Sequence, residues 1–137
     1  MAGGTWWAKA YPNQHVIVVD AGTATTVDFV TSDNHHLGGW IVPGLDLMTS
    51  SIAQRAVKVF DDDNTTFNHG FGQTTPAALK SGCLAAQLGL IHQAVSMFDR
   101  EAVLILAGGS APLLLEHIQA LNPVHDPMIV FKGLDRF

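Results

Sequence analysis

In the stretch VIVVDAGTATTVDFV, Asp20, Gly22 and Thr23 fall within four residues between two β-prone runs, and a second carboxylate, Asp28, follows. Gly22 lets a backbone N–H approach an oxygen ligand closely, Thr23 adds a hydroxyl, and Asp20 adds a carboxylate that can hold a cation against phosphate. That is the chemistry of a nucleotide-phosphate turn. The same residues also fit a hairpin whose Asp and Thr bond only their own turn. Asp28 is expected to face solvent, as most strand carboxylates do. In GGWIVPG, Gly38 and Gly39 remove side chains where a strand favours them, which implies either a bulge or a close approach to a ligand. Trp40 beside them suits the core or a subunit surface. Thr75 precedes Pro76, so its hydroxyl is expected to cap a helix, and LAGG, with Gly108 and Gly109, makes a strand-to-helix turn.

Other clusters offer less. None of the seven histidines is paired at helical metal-ligand spacing, and His35 and His36 are expected to be solvated in a turn. Asp61, Asp62 and Asp63 begin like a calcium loop, but Thr66 and Gly72 occupy the positions that need glycine and glutamate. The single cysteine, Cys83, lies in an apolar helix with no neighbouring His or Lys in sequence. It reads as a buried, inert thiol.

The elements that must position these residues follow from length and pattern. A chain of 137 residues, 47% hydrophobic and 14% charged, can bury one compact core. Its net charge of −5 comes without a Lys/Arg cluster, which argues against nucleic acid or an anionic membrane as a partner. One cysteine and no apolar run near 18 residues suit a cytoplasmic protein. Val16–Val19 and Thr25–Thr31 read as a hairpin, and HHLGGWIVPG as a third antiparallel strand. Apolar residues at helical spacing predict a helix from Leu45 to about Val59, and a longer buried one runs from Thr75 to about Phe98. AVLILA is a strand, APLLLEHIQAL a helix and PMIVFKGL a last strand. The expected fold is α/β: three antiparallel strands, then alternating helices and parallel strands.

Four separated stretches, DAGTATTVD, LGGWIVPGLDLM, TTPAALKSG and LAGGSA, stand in the order and approximate spacing of type III pantothenate kinase, and the chain from about residue 15 to 134 resembles the carboxy-terminal half of that family. The resemblance implies one ribonuclease-H-like half of the actin, sugar kinase and heat-shock ATPase fold. It also implies a division into an amino-terminal remnant or linker, residues 1–14, and an ATPase domain, residues 15–137. Asp20 then matches a ligand of K⁺ or NH₄⁺, and Thr23, with Gly22, contacts ATP. Gly108 and Gly109 match the adenosine-side turn, and Gly39 lies beside phosphates and substrate. Thr75 matches the threonine that contacts pantothenate, with Thr74 as the adjacent rival. ATP, Mg²⁺ and a monovalent cation are the implied cofactors, pantothenate the implied acceptor, and a homodimer the implied assembly.

The departures are equally specific. The family's first phosphate loop and its Gly-x-Asp-Arg motif, which carries the general base, are not found; if Trp6 and Ala8 match the Trp-x-Ala that follows that motif in the family, the resemblance puts Gly4 at the base position. Two functions are therefore open. One is the carboxy-terminal half of a kinase that phosphorylates pantothenate, the entry step to coenzyme A, expected to be inactive alone. The other is a non-catalytic nucleotide-binding or regulatory module.

Overall fold

The computed structural model describes residues 10–126 apart from residues 57 and 63. Its strands are β1 (His15–Ala21), β2 (Ala24–Val30), β3 (His36–Pro43), β4 (Ala102–Ala107) and β5 (Val124–His125). Its α-helices are α1 (Leu45–Arg55), α2 (Thr75–Ser96) and α3 (Ala111–Leu115). The strands form one sheet in the order β3-β2-β1-β4-β5. The first three pair antiparallel, while β4 joins β1 and β5 joins β4 in parallel. The expected half of an actin-like ATPase fold is the fold observed.

β1 is central and covered on both sides, which explains its unbroken β-branched run. Ile17, Val19 and Ala21 pack with Leu84, Leu88 and Ile91 of α2, while Val16 and Val18 pack on the opposite face with Val30 and Ile105. α2 is apolar around much of its circumference because it lies between this core and a second cluster containing Leu45, Leu79 and Cys83.

Four sequence expectations change in detail. α1 ends at Arg55 rather than Val59, with Ala56 already extended. Val59 still packs against the Leu45 cluster, but it reaches it from non-helical chain, so apolar spacing alone overran the helix. The segment APLLLEHIQAL breaks into α3 and a single 3₁₀ turn, Gln119–Leu121. Ile118, between them, is turned into the core. The third difference is Asp28, which is fully buried instead of solvated: its Oδ1 lies 2.8 Å from Nε2 of His36. His36 is correspondingly the first residue of β3 and not a solvated turn residue. Finally, Thr74, not Thr75, caps α2, its hydroxyl accepting the Ala77 N–H at 3.3 Å. The expected strand PMIVFKGL lies wholly outside the described residues, as do residues 1–9 with Gly4.

Candidate nucleotide-phosphate site

Three chain reversals converge at the carboxyl ends of the parallel neighbours β1 and β4, the end of a parallel sheet where ligand crevices form. The first is the β1–β2 turn, closed by the Gly22 N–H donating to the carbonyl of Ala24 at 3.1 Å. The second is the β3–α1 junction, where the Gly44 N–H donates to Thr23 at 2.8 Å. In the third, between β4 and α3, the Ser110 N–H donates to Ala21 at 3.0 Å. Gly108 makes that last approach possible. Its φ is +95°, and a Cβ there would stand 2.6 Å from the carbonyl carbon and oxygen of Ala21.

The reversals enclose an open cleft of about 370 Å³, lined by Ala21, Gly22, Thr23, Asp46, Leu47, Gly109 and Ser110. Three expected nucleotide residues, Gly22, Thr23 and Gly109, are thus brought together although more than 80 residues separate the turns. Gly108 stands behind the wall as a support for Ala21 and is not part of the lining. Asp20 is also outside the lining. It pairs in register with Thr26, and its Oδ1 lies 3.8 Å from where a Gly22 Cβ would project, so the carboxylate flanks the turn. A carboxylate oxygen at such a turn is a hard donor that suits a hard cation.

Other expected residues lie elsewhere. Gly39 pairs with Asp28 across β2 and β3, and its backbone lies so close to the Val27 carbonyl that no side chain fits. It lines a separate apolar hollow with Phe29, Trp40 and Phe98, where Trp40 meets Phe29 edge-on at 4.9 Å between centroids. Thr75 begins α2 and is not in the cleft lining. Just upstream, Gly72 packs directly on the backbone of Ala77 and Ala78, which fixes the entry of the chain into α2.

The loop before α2 is held by Lys80, whose Nζ donates to the carbonyls of Asp62, at 3.0 Å, and Thr65, and lies 3.2 Å from Oδ1 of Asp61. The Asp62 carboxylate also accepts from the Thr65 N–H, and hydrogen bonding with Thr65 holds its pKa below the usual carboxylate value. The two described aspartates of the Asp61–Asp63 run are thus used in anchoring the loop. Burial, and secondarily the charge of Asp61, raises the Cys83 thiol above its ordinary value.

Asp46, Leu47 and Ser110 were missed as site residues. Asp46 lies in the first turn of α1, where an acid is expected simply to complement the helix dipole. Its sequence signal is the Pro43-Gly44 junction just upstream, which by itself indicates only the end of a strand.

The profile of the type III pantothenate kinase family matches residues 3–97. The chain belongs to the type III pantothenate kinase family. A type III pantothenate kinase from Pseudoalteromonas translucida is 50% identical over 126 residues, covering 91% of this chain and 53% of that protein. Another from Herminiimonas arsenicoxydans is 40% identical over 114 residues, covering 79% and 44%. The chain spans about half the length of the curated relatives it matches. Among solved structures, a conserved Campylobacter jejuni protein described as a Baf-family transcriptional activator superposes with a TM-score of 0.67 at 27% identity, over 92% of this chain and 58% of that one. The PilM–PilN type IV pilus biogenesis complex superposes with a TM-score of 0.53 at 16% identity, over 90% and 40%, a likeness of fold alone.

Proposed function

We propose that this chain is the nucleotide-holding, carboxy-terminal lobe of an ATP-dependent pantothenate kinase, with its ATPase domain at residues 15–137. The observation that carries this reading is the cleft in which Gly22, Thr23 and Gly109 meet, in a chain of the type III pantothenate kinase family. With the Gly22 N–H closing the turn on Ala24, the Thr23 N–H and hydroxyl hold phosphate oxygens, and the β4–α3 turn with Gly109 takes the nucleoside side. The first turn of α1 directs its positive end toward the same space.

Mg²⁺ and K⁺ or NH₄⁺, when bound, neutralise phosphate charge. Asp20 at the turn fits the monovalent ion, and Asp46 is the carboxylate facing the cleft. Phosphoryl transfer asks the protein mainly for positioning and charge stabilisation. The primary hydroxyl oxygen of pantothenate attacks the γ-phosphorus, the bond to the β–γ bridging oxygen breaks, and ADP leaves. The hydroxyl proton goes to a carboxylate base, whose place the family resemblance gives to Gly4 in this chain. Thr75, at the start of α2, contacts the acceptor. The assembly is a homodimer that acts in the cytoplasm. Among the described residues, no helix is long and apolar enough to cross a membrane.

A coupled ADP-release assay with pantothenate, ATP, Mg²⁺ and K⁺ tests the reading. The chain alone shows no turnover, because losing a general base costs about 10²–10⁴-fold and losing the opposite phosphate donors a comparable factor. Mixed with the half of the Pseudoalteromonas relative that it does not match, it releases ADP in a pantothenate-dependent manner. Turnover by the chain alone, or silence from a folded and associated pair, contradicts the proposal.

A further inference from the structure

Gln87 is a polar side chain placed in the middle of the apolar helix α2, and it is only 1% exposed. Burying an amide without partners is costly, and a leucine would serve the core equally well, so its bonds explain its presence. Its Oε1 accepts the hydroxyl of Thr25 at 2.7 Å, and Thr25 is itself buried. Its Nε2 donates to the carbonyl of Pro43 at 2.9 Å and lies 3.5 Å from the Met48 sulfur. The amide orientation is the one that satisfies both oxygen partners.

The two main partners flank the candidate site. Thr25 stands two residues after Thr23, on the outgoing side of the phosphate turn. Pro43 immediately precedes Gly44, whose N–H is bonded to the Thr23 carbonyl. Thr25, Gln87, Pro43, Gly44 and Thr23 therefore form a closed circuit running from the turn through α2 to the start of α1 and back. Both rims of the cleft, Gly22–Thr23 on one side and Asp46–Leu47 on the other, hang from this circuit.

We infer that Gln87 is a positioning residue of the nucleotide site. It holds the β1–β2 turn and the first turn of α1 at a fixed separation, and it ties that separation to the helix whose first residue is Thr75. The site's role in binding nucleotide rests on the proposed function, but the positioning itself is a property of the chain and can be read without a ligand.

The test is residue-resolved amide hydrogen exchange on the full 137-residue chain, followed by ATP titration with Mg²⁺ and K⁺. Gln87→Met keeps the side-chain length and removes both hydrogen bonds. Thr25→Val is the milder second variant, with Thr25→Ser to restore the hydroxyl. Ile91→Val, on the same helix and within the core, is the control for a purely structural loss. Gln87→Met lowers protection of the Gly44 amide at least about tenfold more than that of the Ile17 and Leu104 amides, and weakens ATP binding about tenfold. Thr25→Val does the same in smaller measure, Thr25→Ser restores it, and Ile91→Val lowers protection evenly and leaves ATP affinity unchanged. An even loss of protection in both Gln87→Met and Thr25→Val, with ATP affinity kept, overturns the inference. A selective loss at Gly44 in a chain whose unsubstituted form binds no ATP supports the positioning and overturns the nucleotide reading.

Discussion

The N–H of Gly44 donates to the carbonyl of Thr23 at 2.8 Å, joining the first turn of α1 to the turn between β1 and β2. The two backbones approach so closely that a Cβ on Gly44 would stand 2.9 Å from the Thr23 carbonyl carbon and nearer still to the carbonyl oxygen of Gly22. The backbone of Gly44 is in the extended region, open to any residue, so proximity and not conformation demands glycine here. Gly44→Ala must push the turn and the helix apart. Overpacking of this kind costs about 1–3 kcal/mol. Urea unfolding should show that loss, and ATP titration a weaker site.

The two threonines at the start of α2 separate by role. Thr74 supplies the capping oxygen, so Thr74→Ala should cost about 1 kcal/mol in urea unfolding, and Thr74→Ser should recover most of it. Thr75→Ala should leave stability within about 0.5 kcal/mol. If Thr75 contacts pantothenate, the same substitution in the reconstituted pair raises the KM for pantothenate. An unchanged KM would leave Thr75 with no part in the acceptor site.

Asp28 and His36 form a polar contact inside the sheet edge, with Asp28 fully buried. His36→Ala takes a donor away from a buried carboxylate and should destabilise by about 1–3 kcal/mol. His36→Gln retains a donor and should lose less. The measurement is the urea midpoint of each variant at neutral pH, and equal losses would show that the contact contributes nothing beyond its volume.

Much of the fold was legible because its signals were strong and local. A β-branched run marked β1, glycine and proline marked the reversals, and Thr-Pro marked the start of α2. A strand's alternation tells which residues share a face but not whether that face is covered, so it does not reveal the burial of Asp28. Helical spacing takes in Val59 because an extended residue and a helical one can reach the same cluster. For the site, the sequence marks the glycine turns at Gly22, Gly108 and Gly109, of which Gly108 is the one whose backbone requires glycine, and does not mark residues that become neighbours only through tertiary contact. Asp46, Ser110 and Gln87 are ordinary within their own segments. Their roles depend on where α1, α3 and α2 end up relative to the β1–β2 turn.

Cys83 lines an apolar groove between α1 and α2 with Met48, Ile52 and Leu79, and is 5% exposed. Its thiol pKa is raised, so the reactive thiolate is scarce near pH 8 and access is poor. Iodoacetamide should modify it at least about tenfold more slowly in the native chain than in urea. Raising the pH should increase the native rate beyond the ordinary thiol range. Comparable rates in the two states would place the thiol at the surface.

The most direct test of the nucleotide lobe is calorimetric titration of the chain with ATP in the presence of Mg²⁺, with and without K⁺, for the unsubstituted protein and for Asp20→Asn. Saturable one-site binding that depends on K⁺, and loss of that dependence in a folded Asp20→Asn variant, is the predicted result. Equal affinities in the two proteins would remove Asp20 from the cation site. A folded chain that takes up no ATP under any of these conditions would contradict the account at its centre.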